Sequence, residues 1–161
     1  MNSLRSSFAL QMVMAAMLGA LLFNSDWVYW GLSNSLFEAG RQSFLSKNYQ
    51  IAEFLWIIVR ERDKSRISNP DSSIEYWNTQ VWLGKLSMEQ GRFTESEVQI
   101  KDALRISKNI NSPGYYLVPR TMRLLSSLYE RQNKLEEAVK LRNEADRLEL
   151  AHQSSQTVKT R

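Results

Sequence analysis

The sequence predicts an all-α fold, an α-solenoid of about three helical hairpins preceded by a hydrophobic N-terminal helix. Three observations carry that reading. A short turn recurs as Lys47-Asn48-Tyr49, Gly91-Arg92-Phe93 and Asn133-Lys134-Leu135. A small-residue position recurs ahead of it, as Ala39-Gly40, Leu83-Gly84 and Leu125-Ser126, with 44 residues from Gly40 to Gly84 and 42 from Gly84 to Ser126. A fixed period of that size marks a chain whose units bury their apolar faces only against their neighbours. Finally, no alternating strand pattern extends beyond a few residues.

The first element is the N-terminal apolar run. Met1–Ser7 carries one charge, Arg5, and residues 8–23 follow as FALQMVMAAMLGALLF, 16 residues with the single polar member Gln11. At about 1.5 Å per residue that run spans about 24 Å, short of a hydrocarbon core of about 30 Å. Extension from Ser7 to Trp27 supplies the missing length and puts Trp27, Tyr29 and Trp30 at the far interface, the depth that suits amphipathic rings. Residues 1–33 therefore read as a transmembrane anchor with an aromatic interface segment. Two alternatives stay open: a cleaved signal sequence, although no A-x-A site follows at the usual distance, and a helix packed on the repeats or on a partner. Arg5 and the amino terminus precede the run and Asp26 follows it. The positive-inside rule then puts the N-terminus in the cytoplasm and the repeats on the extracytoplasmic side, periplasmic in a bacterium. Signal cleavage would instead release a secreted or periplasmic chain.

The hairpins follow over residues 34–150, divided at about 34–68, 76–110 and 116–150. Residues 50–62 are apolar on most sides and are expected to be sandwiched between neighbours. Residues 77–90 place Trp77, Val81, Leu83, Gly84 and Met88 at mixed three- and four-residue spacing. Residues 94–108 open with Thr94 and Glu97 in a capping-box pattern and close on Lys108. Residues 119–131 start at Pro119, which suits a first turn because its missing N–H has no helical partner there. Residues 134–150 carry Leu135, Ala138, Val139, Leu141, Ala145 and Leu148. The tail, residues 151–161, is polar, rich in Ser and Gln, and is expected to be disordered.

Position by position these hairpins resemble the tetratricopeptide repeat. The family's first helix carries W-x2-L-G-x2-Y, and those slots hold Leu36, Ala39, Gly40, Ser43; Gln80, Leu83, Gly84, Ser87; and Met122, Leu125, Ser126, Tyr129. The second-helix slots hold Ala52, Trp56, Val59; Ser96, Ile100, Ala103; and Ala138, Arg142, Ala145. Gln80, Ser96 and Arg142 depart from the pattern as poor core residues, and Arg142 implies a last helix that is partly exposed. The long period and the Pro-bearing connectors, Ser68-Asn69-Pro70-Asp71 and Asn111-Ser112-Pro113-Gly114, are similar to those of kinesin light chains. The resemblance implies a right-handed solenoid that binds a protein or peptide in a concave groove. Its implied lining is Asn34, Phe37, Arg41, Phe44; Asn78, Val81, Lys85, Met88; and Arg120, Arg123, Ser127. Of these, Asn34, Arg41, Asn78, Lys85, Arg120 and Arg123 carry the polar chemistry. Asparagine both donates to and accepts from a peptide backbone, and arginine matches a carboxylate with its planar fork. An acidic or C-terminal peptide fits that set. Phe37 stands where the family's carboxylate clamp has a lysine, so that particular tail specificity is not implied.

Elsewhere the sequence offers no chemistry. There is no cysteine, hence no disulfide and no thiolate metal site. The one histidine, His152, lies in the tail, and no P-loop, G-x-G-x-x-G, H-E-x-x-H or nucleophile elbow is present. Glu136-Glu137 sits at a helix start, where acids complement the dipole. The net charge of +4 is spread along the chain without a basic run, which argues against nucleic acid. Trp82 reads either as packing between repeats or as an exposed anchor for a ligand, and Trp77 is assigned neither role. The resulting expectation is a non-enzymatic, membrane-anchored adaptor or assembly factor without cofactors or metals. The alternative is a permanent structural subunit of a larger membrane complex. Three repeats without an extra capping helix leave end surfaces to be covered, which fits that alternative or self-association.

Overall fold

The computed structural model describes residues 26–110 and 116–159, with side-chain surroundings for residues 31–110 and 116–154. The described residues are helical apart from turns: α1 (Asp26–Leu45), α2 (Tyr49–Arg66), α3 (Ile74–Glu89), α4 (Phe93–Asn109), α5 (Leu117–Arg131) and α6 (Leu135–Lys159), with a 3-10 turn at Pro70–Ser72. The described residues divide into two compact units between residues 62 and 63.

One turn closes all three hairpins. Lys47, Gly91 and Asn133 each take the left-handed conformation, with φ of 60°, 74° and 61°. In each, the next residue's N–H reaches back five residues: Asn48 to the Ser43 carbonyl at 2.8 Å, Arg92 to Ser87 at 2.8 Å, and Lys134 to Tyr129 at 2.9 Å. The left-handed residue's own N–H bonds three residues back, to Phe44, Met88 and Glu130. This is the Schellman closure, which satisfies carbonyls that a helix end otherwise orphans. It runs directly into the next helix, so α4 starts at Phe93 with Arg92 at its cap and no side-chain cap bond. The expected Thr94–Glu97 capping box is not formed. Thr94 already lies within the first turn, and Glu97 instead holds Lys101 at 2.7 Å and accepts from the Tyr129 hydroxyl at 3.1 Å. A side-chain cap does occur at α3, where Ser73 accepts from the Tyr76 N–H at 3.2 Å.

Within each hairpin the small-residue position sets the helix approach. A Cβ on Gly40 would lie 2.5 Å from Trp56 Nε1, and one on Gly84 would lie 2.6 Å from Ile100 Cγ1. Trp56 and Ile100 are fully buried. The third hairpin has Ser126 there, and its hydroxyl donates to the Ala138 carbonyl at 2.8 Å. The expected misfits are explained by partners. Ser96 Oγ donates to the Gly84 carbonyl at 2.7 Å, Gln80 Nε2 donates to Asp102, and Arg142 turns outward to Glu130.

The first unit packs Leu36 against Leu55 and Val59, while Trp56 donates to the Phe37 carbonyl at 3.1 Å and lies beside the Phe44 ring at 5.9 Å. In the second unit, Tyr76, Trp77, Val81, Ala103, Ile106 and Leu117 form one cluster, and Met88, Ile100, Leu125 and Leu128 form another.

Two expectations need correction. Residues 50–62 are not apolar on a covered surface throughout: Ile51, Phe54 and Ile57 are exposed, so α2 buries only its other side. Helix α1 runs through residues 33/34 and carries Trp27, Tyr29 and Trp30 on the same helix as Asn34 and Arg41. The expected disordered tail from residue 151 is helical through Lys159. No glycine or proline interrupts residues 135–159, and Ala, Leu, Glu, Lys, Arg and Gln dominate them, so nothing ends the helix at 150. Among the described residues no helix is long and apolar enough to cross a membrane. The run at residues 8–23, on which the anchor and signal-sequence readings rest, lies outside the described residues.

Candidate functional site

Helices α3 and α5 occupy equivalent places in successive repeats, and side chains on one face of each meet over a pocket of about 220 Å3. Trp77, Val81 and Lys85 come from α3 at four-residue spacing, and Arg120, Leu124 and Ser127 from α5 at spacings of four and three, so each set shares a helix face. Trp77 and Val81 are buried. Trp77 Nε1 donates to Thr121 Oγ1 at 3.0 Å, and that hydroxyl donates in turn to the Leu117 carbonyl at 2.7 Å. The indole is thus fixed by both its polar atom and its apolar cluster.

Two cations line the pocket, one over Trp77 and one over the neighbouring Trp82. The Lys85 ammonium lies 4.5 Å from the Trp82 ring centroid, and the Arg120 guanidinium 5.5 Å from that of Trp77, both within cation–π reach. Burial, and then the nearby charge of Arg120, hold the Lys85 pKa below the ordinary lysine value. Desolvation and a like charge both penalise the protonated amine, and an anion placed between Lys85 and Arg120 would oppose both penalties. Neither residue makes an ion pair with an acid among the described residues.

The other arginines of the expected groove are committed. Arg123 also lines the pocket, but its guanidinium reaches Glu149 at 2.5 Å and Asp146 at 2.7 Å on α6. Hydrogen bonds to those two carboxylates raise its pKa further. Arg41 pairs with Glu38 at 2.9 Å on its own helix.

Of the six expected groove residues, Lys85, Arg120 and Arg123 come together in this pocket. Asn78 is half-buried on α3 outside the pocket lining, and Asn34 lies exposed on α1 in the first unit with Arg41. Sequence reasoning left out Trp77, Thr121 and Leu124. The signal for Trp77 was available, since it precedes Val81 and Lys85 by four and eight residues. Thr121 carries no comparable signal, because its hydroxyl is read only from the indole opposite it. Among the described residues no group of three or more His, Cys, Asp or Glu side chains is placed to hold a metal.

The tetratricopeptide-repeat family model matches residues 78–145, a span that holds the Gly84, Gly91, Ser126 and Asn133 positions described above. The fold is similar to that of BtubC (BKLC) from P. vanneervenii, with a TM-score of 0.70 at 17% sequence identity over 80% of this chain. The match covers 49% of that chain, so this chain corresponds to about half the length of BtubC. No curated protein matches the sequence.

Proposed function

We propose that this tetratricopeptide-repeat protein is a non-enzymatic adaptor or assembly factor that holds an acidic segment of a protein partner in the groove between α3 and α5. Repeats of this family serve protein–protein interaction, and the observation that points to this groove is the convergence of Lys85 and Arg120 without an acidic partner. A carboxylate from the partner supplies the missing counter-charge. Arg120 offers it a planar pair of N–H donors, and Lys85 a mobile point charge. Trp77, Val81 and Leu124 give the adjoining aliphatic carbons an apolar surface. Arg123, tied to α6 by Asp146 and Glu149, shapes the wall.

The apolar run at residues 8–23 supports the membrane part of the reading, in which the N-terminal segment anchors the chain and Trp27, Tyr29 and Trp30 sit at the interface. Positive-inside bias from Arg5 supports extracytoplasmic repeats, and cleavage of the run as a signal sequence is the competing outcome. Alkaline carbonate extraction separates the two: an anchored chain stays in the membrane fraction with its N-terminus intact, whereas a cleaved one is released with a mature N-terminus near residues 26–34.

A second reading, a permanent structural subunit, is favoured by the exposed Ile51, Phe54 and Ile57 on α2. Affinity capture by the full chain from detergent extracts of its native membranes tests both. The adaptor reading expects partners that are lost at high salt and lost from the Lys85→Glu/Arg120→Glu chain. Retention of the same stoichiometric complex by that variant at high salt would establish the subunit reading instead.

A further inference from the structure

The terminal helix α6 turns Ala138 and Ala145 inward, where both are buried. Its opposite face is bare. Leu135 and Val139 are 57% and 52% exposed, and they form the apolar edge of a surface groove of about 760 Å3 that continues over Glu136, Lys140, Glu144 and Arg147. An exposed apolar seam of this kind on a helix face is where a further helix would stack, and the charges beside it specify which helix.

Those four side chains fall at helical spacings of four, four and three, so they line one flank of the seam. Read from the N-terminal end they alternate acid, base, acid, base. None of them makes an ion pair or side-chain hydrogen bond within the described residues, unlike Asp146 and Glu149 on the same helix, which hold Arg123. Reversed end to end, the same row reads base, acid, base, acid. Two copies of α6 laid antiparallel therefore set Glu136 opposite Arg147 and Lys140 opposite Glu144, and by symmetry each pair occurs twice. Laid parallel, the two rows set like charge against like charge.

We infer that α6 is a self-association surface, on which a second copy of this chain docks its own α6 antiparallel about a two-fold axis level with Leu141 and Arg142. Leu135 and Val139 of each copy lie against the partner copy's α6 on opposite sides of the axis, and the four flanking charges fix the direction and register. The contact is isologous, so it closes at two copies and does not propagate. It lies on α6 and leaves Lys85 and Arg120 of the groove outside it, so the two readings stand or fall separately.

Charge exchange tests it. Glu136→Lys with Glu144→Lys makes the flank uniformly basic, and Lys140→Glu with Arg147→Glu makes it uniformly acidic. All four positions are exposed, so each variant is expected to keep the parent's helicity. Sedimentation equilibrium of the full chain in a mild detergent should show a dimer for the parent. Each variant alone should associate about tenfold more weakly or worse, since like charges now face each other. An equimolar mixture of the two should recover the parent's affinity, because the basic flank now meets the acidic one. A monomeric parent, undiminished self-association of both variants, or a mixture no tighter than its components would each overturn the proposal.

Discussion

The groove between α3 and α5 and the outer face of α6 belong to the same unit and are both rich in charge, yet they differ in where the opposite charge is found. In the groove, Arg120 lies over Trp77 and Lys85 over the adjacent Trp82, and neither pairs with a carboxylate among the described residues. On α6, Glu136, Lys140, Glu144 and Arg147 alternate along one flank and carry their own counter-charges in sequence. The first arrangement is incomplete in a way that only a different molecule, an anionic one, makes good. The second is complementary to its own reverse. Net charge does not separate the two faces, and the order of charges along each helix does. Arg123 shows how local the distinction is. It stands one turn from Arg120 on α5, but Asp146 and Glu149 already satisfy it.

Three perturbations break or sharpen that contrast. The largest acts on the scaffold that both faces share. Gly84→Leu drives a side chain into Ile100, whose Cγ1 would lie 2.6 Å from the new Cβ. Overpacking of such a contact costs about 1–3 kcal/mol, and urea denaturation should record that loss. Acidic-peptide binding and self-association should both weaken with it, and an unchanged denaturation midpoint would show that the close approach of α3 and α4 does not hold the unit together.

The next perturbation separates the faces. Lys85→Glu with Arg120→Glu should weaken capture of an acidic partner by about tenfold or more, mostly through association rate and with strong dependence on salt. Self-association through α6 should be unaffected. The α6 charge exchanges should give the reverse result. Surface plasmon resonance and sedimentation on the same preparations measure the two effects side by side, and coupled losses in both assays would mean that the faces are not independent.

The smallest effect concerns pH. Burial and the Arg120 charge lower the Lys85 pKa in the free protein. A protonated Lys85 is therefore disfavoured by the fold at low pH, and that penalty disappears as pH rises through the lowered pKa. A bound carboxylate favours the protonated form, so binding takes up a proton once the pH exceeds that value, and affinity should fall at alkaline pH. Lys85→Arg keeps its charge there and should flatten the decline. Identical alkaline profiles for parent and variant would remove Lys85 from the binding step.

Much of this fold was legible from local sequence. The three turns were readable because a left-handed residue at a helix end favours Gly or Asn, and two of the three positions have them. Lys47 was found only by its place in the period, since lysine gives no such signal. Gly40 and Gly84 likewise announced close helix contacts that Trp56 and Ile100 complete. The polar core positions looked like defects because their partners are distant in sequence. Gln80 bonds Asp102 across the hairpin, and Ser126 reaches the Ala138 carbonyl. The end of α6 was misplaced because polarity was read as disorder, although no Gly or Pro breaks residues 151–159 and Ala151, Gln153, Gln156 and Lys159 are good helix formers. In the groove, the periodicity of α3 and α5 placed Lys85, Arg120 and Arg123 together, but it carries no information about which cation a carboxylate on another helix has already neutralised. Arg123 is held by a helix whose nearest ligand residue is 23 positions away, and that pairing decides that Arg120, not Arg123, is available with Lys85.

The most direct test of the groove is a calorimetric titration of the full chain with a short oligoglutamate peptide and, separately, with oligoglutamine of the same length, each repeated on the Lys85→Glu/Arg120→Glu chain. The expected result is binding of oligoglutamate alone by the parent, weakened by added salt and abolished in the double variant. Equal affinity for the two peptides, or oligoglutamate binding that survives the double reversal, would contradict the assignment of Lys85 and Arg120 as the anion-binding pair.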